Sequence, residues 1–287
     1  MLPKIAFQGG LVALLVQTAA AQVRCATPDP PKELLEHAAE MKVQEKAMKD
    51  AGIQQARAPI TINAWFHVIA ASDAVEDANL TDEMLQNQLE VLNSNYAPHD
   101  IQFNLSGTTR TVNSSWSDNT DTLVMKTQLR KGDYATLNLY FQRLLNHVSY
   151  CTFPGIVEEG TLDFFNDGCV IDAQTVPGGS KVPYNEGKTA THEVREWLTQ
   201  ESFPGLYHTF QGGCNGGDGI DDTPAQASYS EGCPVGRDSC PDLPGLDPIH
   251  NYMDYSDDAC YEEFTPDQDA RMRSNWDYYR AAAQGSE

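Results

Sequence analysis

The stretch Thr191-His192-Glu193-Val194-Arg195-Glu196-Trp197-Leu198 sets two metal-binding side chains, His192 and Glu196, four residues apart with a second carboxylate, Glu193, between them. On a helix, residues four apart stack one turn above another, so His192 and Glu196 share a face. This is the skeleton of a zinc hydrolase site, in which the outer side chains hold the ion and the inner Glu activates the attacking water. The usual second ligand is histidine; here it is Glu196. Carboxylate oxygen is an accepted zinc ligand, although its charge raises the pKa of a bound water and weakens the nucleophile. A third candidate ligand, His208, closes Gly205-Leu206-Tyr207-His208. The six residues Thr199 to Pro204 stand in between. If helical they would displace His208 by ~9 Å, whereas zinc–nitrogen bonds are about 2.0–2.1 Å long. His208 therefore reaches the same ion only if this segment loops outward, which Pro204 permits by disfavouring helix at Phe203.

The elements that must position these residues are legible as periodicities. Ile62, Ala64, Phe66 and Val68 alternate with Asn63, Trp65 and His67, which predicts a strand over Ile60 to Ala70 and makes His67 a strand side chain rather than a ligand. Thr81 to Asn93 reads as a helix, capped by Thr81, with Asp82 and Glu83 in its first turn. Further strands are expected at Ile101 to Leu105, Ala135 to Phe141 and Cys169 to Ile171, with a helix over Asp121 to Leu129. That order implies an α/β fold with a mostly parallel sheet. The site helix should start near Gly187 to Thr189. Beyond His208 the chain to Leu246 is rich in Gly, Pro, Cys and Asp, the composition of loops fastened by disulfides. Thr265-Pro266-Asp267-Gln268 is a capping box that opens a last helix, with Met272, Trp276 and Tyr279 on its apolar face.

With 41 acidic and 19 basic residues and a net charge of -22, the chain lacks the clustered positive charge that nucleic acids or anionic membranes require. Lys4, the apolar run Leu11 to Val16 and Ala19-Ala20-Ala21 read as an export signal over residues 1–21; the run is far shorter than the ~20 residues of a spanning helix. Residues 22–58 form a charged N-terminal segment or propeptide, with a surface helix over Glu33 to Met48, and 59–287 form the main domain. Triplets at Asn79, Asn104 and Asn113 are glycan acceptors in an exported chain. Seven cysteines imply disulfides and one thiol left over, with Cys25 standing apart from the other six. Those six could form three bridges, in any of 15 pairings.

Lys188-Thr-Ala-Thr-His-Glu-Val, Gly205-Leu-Tyr-His-Thr-Phe-Gln-Gly-Gly-Cys214, Asp221-Asp-Thr-Pro-Ala-Gln226, Gly236-Arg-Asp-Ser-Cys240 and Gly245-Leu-Asp-Pro-Ile-His-Asn-Tyr-Met-Asp-Tyr255 resemble the secreted fungal metalloproteases of the pappalysin group. The resemblance runs from about Cys25 to Arg280. It implies a metzincin-like fold, an upper twisted sheet with helices above a looped, disulfide-bridged lower lobe ending in a helix. It further implies zinc on His192, Glu196 and His208, Glu193 as the base, Tyr255 as an oxyanion donor, Met253 as the Met-turn residue and a Cys214–Cys240 bridge, with Cys151–Cys169 and Cys233–Cys260 expected for the remaining four cysteines. Calcium on Asp218, Asp221 and Asp222 is the softer implication. His250 is expected to orient the Met-turn, His147 to lie in a loop, and His37 and His99 to be exposed. Cys25 either occupies the open zinc position and keeps the enzyme latent, as propeptide cysteines do in relatives, or pairs with another chain.

The family pattern reads H-E-V-G-H-W-x-G-L-Y-H. This chain has Arg195-Glu196 for Gly-His and the extra Thr199 to Pro204. Three origins fit: an impaired protease, a silent one, or a misread splice junction, which the intact flanks favour. The activity implied is extracellular hydrolysis of protein or peptide substrates by a monomer; the alternative is a secreted binding protein that keeps the fold and not the catalysis.

Overall fold

Alternation in the first long strand has the predicted consequence: Ile62, Ala64, Phe66 and Val68 are fully buried in one face of the sheet, whereas Thr61 and Asn63 are exposed on the other. The computed structural model describes residues 23–26, 43–52, 58–144, 147–199 and 208–284. Its elements in chain order are β1 (Val23–Cys25), α1 (43–50), β2 (Ile60–Ala70), α2 (Asp82–Tyr96), β3 (Ile101–Val112), α3 (Ser114–Ser117), α4 (Thr122–Leu129), β4 (Leu137–Gln142), β5 (His147–Cys151), α5 (Leu162–Asn166), β6 (Cys169–Asp172), α6 (Lys188–Leu198) and α7 (Pro266–Asn275).

The strands form one sheet in the order β1-β5-β6-β4-β2-β3. β6, β4, β2 and β3 run parallel; β5 is antiparallel to β6, and β1 runs parallel to β5. Parallel neighbours need crossover helices, and α2 and α6 cover one face with a core of Phe66, Leu92, Phe103, Leu139, Ile171, Val194 and Trp197. A smaller cluster of Ile69, Met125, Tyr140, Leu144 and Val170 lies on the opposite face.

Thr81 caps α2 by accepting a hydrogen bond from the Met84 N–H, and the capping box of α7 is formed in full by Thr265 and Gln268. A π-helical turn, Trp276–Arg280, continues α7. It carries the Arg280 guanidinium over the Trp197 ring at 3.6 Å and into hydrogen bonds with Asp167 and the Trp197 carbonyl. The last turn of α6 is thereby tied to the end of the chain.

Four local expectations are corrected. β3 continues to Val112 rather than ending at Leu105, past a register shift opposite Ala64 and Trp65. His147 opens β5 instead of lying in a loop, because pairing with β6, and at His147 itself with Val23 of β1, outweighs a weak local pattern. β1 forms inside the charged segment for the same reason, by pairing with β5. His99 is buried, not exposed, held between the Phe264 ring and the Asp269 carboxylate at 3.8 Å. The export signal, most of the predicted helix from Glu33, and residues 200–207 lie outside the described residues.

Candidate metal centre

α6 starts at Gly187, whose φ of 83° suits glycine and where a Cβ would sit 3.0–3.1 Å from Pro177 and Gln88. Gln88 donates to the Gly187 carbonyl, and Tyr96 to that of Thr191, so α2 sets the position of the site helix. Residues 189–198 are all buried. The helix stops at Leu198 as Thr199 turns extended, with the Thr199 N–H and hydroxyl both donating to the Arg195 carbonyl.

His192 Nδ1 lies 2.7 Å from the Tyr252 carbonyl. A carbonyl can only accept, so Nδ1 carries the proton and the Nε2 lone pair is left for a metal. His208 Nε2 lies 3.1 Å from it, with the rings stacked at 5.0 Å. Glu196 Oε1 is 3.6 Å from His192 Nε2 and 3.5 Å from His208 Nε2. The thiol of Cys25, which is in none of the disulfides, is 3.4 Å from Glu196 Oε1. These four buried donors lie within 4.8 Å of one another. Tetrahedral bonds of about 2.0–2.3 Å put neighbouring ligand atoms roughly 3.3–3.8 Å apart. The donor set and its spacing therefore fit zinc.

Glu193 is fully buried; burial first, and then the Glu196 charge, hold its pKa well above the carboxylate range. Ser149 of β5 donates to one of its oxygens, while Oε2 has no hydrogen-bond partner. Met253 is buried in a turn where its N–H donates to Asn251 Oδ1 and its carbonyl accepts from the Thr209 N–H. Tyr255 packs edge-on against the His208 ring at 4.7 Å, with Phe210 and Tyr229 beside it.

The family described as pregnancy-associated plasma protein-A, Peptidase_M43, matches residues 137–277. An extracellular metalloprotease of Verticillium alfalfae is 54% identical over 90% of both chains, and one of Colletotrichum graminicola is 51% identical over 94% of this chain and 98% of its own. The chain belongs to the pappalysin family. Among solved structures, mature mirolysin of Tannerella forsythia in complex with a cleaved peptide is 29% identical, covering 77% of this pappalysin and 93% of its own chain with a TM-score of 0.63. The promirolysin mutant E225A is 27% identical over 88% of this chain and 94% of its own, with a TM-score of 0.64.

All three expected disulfides are present in this pappalysin: Cys151–Cys169, Cys214–Cys240 and Cys233–Cys260. The last touches His250, whose Nδ1 donates to the Cys260 carbonyl at 2.6 Å. The acidic loop, by contrast, is not gathered among the described residues. Asp218 is buried and pushed up to about 6, mainly by burial, with the Ile220 N–H that donates to it, and then the Arg195 charge, opposing the shift. Asp221 and Asp222 are exposed, and Asp222 accepts from the Asp267 N–H. Arg195, which stands where the family pattern has glycine, is itself fully buried; burial lowers it to about 10, and Asp218 is the largest opposing influence. Ser149 had no sequence signal, since a serine two residues before a cysteine in a short strand is ordinary. Nor did the Gln226–Asp254 hydrogen bond of 3.1 Å, next to Met253.

Proposed function

We propose that this pappalysin is a secreted zinc metalloendopeptidase in which His192, Glu196 and His208 hold the ion, and that residues 1–21 export it, 22–58 act as a propeptide and 59–287 form the catalytic domain. The observation that carries the reading is the spacing of the two Nε2 atoms and Glu196 Oε1, 3.1–3.6 Å, despite the altered motif and the extra residues before His208. Zinc, when bound, supplies Lewis-acid polarisation of a peptide carbonyl. Glu193 is the base: Ser149 holds one of its oxygens, and the unpartnered Oε2 takes a proton that it later passes to the leaving amine. Tyr255 donates to the developing oxyanion. Protein or peptide substrates follow from the protease family, and no helix among the described residues is long and apolar enough to cross a membrane.

Cys25 is the latch in this reading. β1 occupies the free edge of β5, and the Ala26 N–H donates to the Ser149 carbonyl at 2.9 Å, which brings the thiol to the fourth donor position. Removal of β1 opens that position and frees the β5 edge for a peptide strand. Calcium on Asp218, Asp221 and Asp222 has less support, because Asp218 is buried whereas Asp221 and Asp222 are exposed.

Native mass spectrometry of the secreted, deglycosylated chain tests the reading. One zinc per chain, and chelator-sensitive proteolysis once the N-terminal segment is cleaved, are expected. An intact chain that binds no zinc and cleaves nothing makes the protein a silent binding module instead.

A further inference from the structure

The three acceptor triplets fall in different structural situations. Asn79 donates its Nδ2 to the Asp73 carbonyl at 2.9 Å, a bond that closes the loop before α2. Asn113 is half-buried, and its side-chain oxygen caps α3 by accepting from the Trp116 N–H. Asn104 is exposed in β3, with exposed Ser106 as the third residue of its triplet. Its Nδ2, the atom that would bond to a sugar, makes a long 3.3 Å contact with Asn63 Oδ1, another exposed side chain. Substitution of one N–H there costs no buried contact and leaves the second N–H for Asn63.

The position also has a physical use for a bulky polar group. β3 is an outer strand of the sheet, and outer strands present backbone groups that pair with other chains unless charge, proline, a bulge or a cover prevents it. Asn93 covers Phe103, accepting from its N–H and donating to its carbonyl. The register skips Ser106 between Leu105 and Gly107, which puts a bulge just beyond. The sequence Ile101-Gln-Phe-Asn-Leu105 in between has neither charge nor proline. On the same face, two residues along from Asn63, the half-buried Trp65 ring lies so close over Gly107 that a Cβ would come within 2.5 Å of it. That leaves an aromatic surface beside a flat polar strip. The metal centre borders β1 and β5, at the other end of the strand order, so a glycan on β3 leaves it clear.

We propose that Asn104 carries an N-linked glycan that shields the outer β3 edge, an inference that rests on the export reading above. Transfer joins Asn104 Nδ2 to the anomeric carbon of a lipid-linked oligosaccharide; the lipid diphosphate leaves and the amide gives up one proton.

The test expresses the full chain in a secreting yeast, as wild type and as Asn79→Gln, Asn104→Gln and Asn113→Gln. Intact mass is measured before and after glycosidase treatment, and peptide mapping locates the aspartate that the glycosidase leaves at an occupied site. The expected result is an occupied Asn104 in the secreted protein, with one glycan-sized mass increment lost in Asn104→Gln and a several-fold larger self-associated fraction of that variant by size-exclusion chromatography. A secreted chain with Asn104 unmodified overturns the proposal, and an occupied Asn104 whose loss leaves self-association unchanged overturns its shielding role. Should the native chain stay in the cell, residues 1–21 are replaced by the host's own leader. Occupied Asn104 then stands while the export reading falls, and empty Asn104 removes the proposal.

Discussion

Between Ile60 and Asp172 the interior is largely apolar, with Phe66, Leu92, Phe103, Leu139 and Ile171 packed between sheet and helices. Between His208 and Phe264 the buried groups are to a large extent polar: Thr209 donates to Gln226, Gln226 to Asp254 and Ser230, and Asn251 pairs with Gln268. Apolar burial is non-directional and adjusts to small displacements, whereas hydrogen bonds fix both distance and angle. The proposed metal centre draws from both regions, His192 and Glu196 from the helix on the apolar core and His208 from the polar lobe. In that reading the lobe with less apolar material has to hold a ligand to a few tenths of an ångström, and what fastens it is directional bonds and two bridges, Cys214–Cys240 and Cys233–Cys260.

Breaking the polar lobe's fastening gives the largest expected effect. Replacing Cys214 and Cys240 together by serine opens a loop with a sequence separation of 26, worth ~3.5 kcal/mol by chain entropy. Denaturant unfolding should show that loss. Hydrogen exchange should show it to be local, with amides from 209 to 254 losing protection while those of β2 and β4 keep it. Equal loss in both regions would mean that the two are a single cooperative unit and that the contrast between them has no energetic content.

The apolar region has polar exceptions of its own, His67 among them, which sharpen the contrast from the other side. His67 is fully buried in β2, with Nε2 donating to Asn138 Oδ1 and Thr109 Oγ1 at Nδ1, and burial lowers its pKa to about 4. The folded state thus binds a proton less readily than the unfolded chain. Stability is full above the unfolded value of 6.5 and is lost as pH falls from 6.5 towards 4. A shift of this size corresponds to about 3 kcal/mol. Urea midpoints measured across that window should fall for the wild type and fall less for His67→Gln, whose amide can still donate to Asn138. Parallel curves for the two proteins would place the acid sensitivity elsewhere.

The same division governs what the sequence revealed. Periodic segments such as Ile62 to Val68, and local caps such as Thr81 and Thr265, were legible because their signal lies within a few residues. β5 and β1 were not, because a three- to five-residue strand is defined by its partner rather than by its own pattern. Within the centre, His192 and Glu196 were readable from helical spacing. That His208 stays in reach depends on where α6 stops, at Leu198, and on the Thr209–Met253 backbone bond, a contact between residues far apart in the chain. Ser149 meets Glu193 only because β5 lies beside α6, so no local pattern announces it.

The smallest expected effect concerns the joint between the two regions. α7 follows directly on the polar lobe, yet it delivers Met272 and Trp276 to the apolar core. Its first turn is fixed by Thr265, which accepts from the Gln268 N–H while Gln268 Oε1 accepts from the Thr265 N–H. Gln268 also bonds Asn251, two residues before Met253, so one side chain serves both the cap and the proposed site. Thr265→Ala removes the hydroxyl acceptor and should cost ~1 kcal/mol of global stability. Because Gln268 keeps its bonds to Asn251, zinc content should be unchanged. A Thr265→Ala variant that loses metal along with stability would show that the cap holds the Met-turn as well as the helix, and that the two regions are coupled through Gln268 more tightly than their separate interiors suggest.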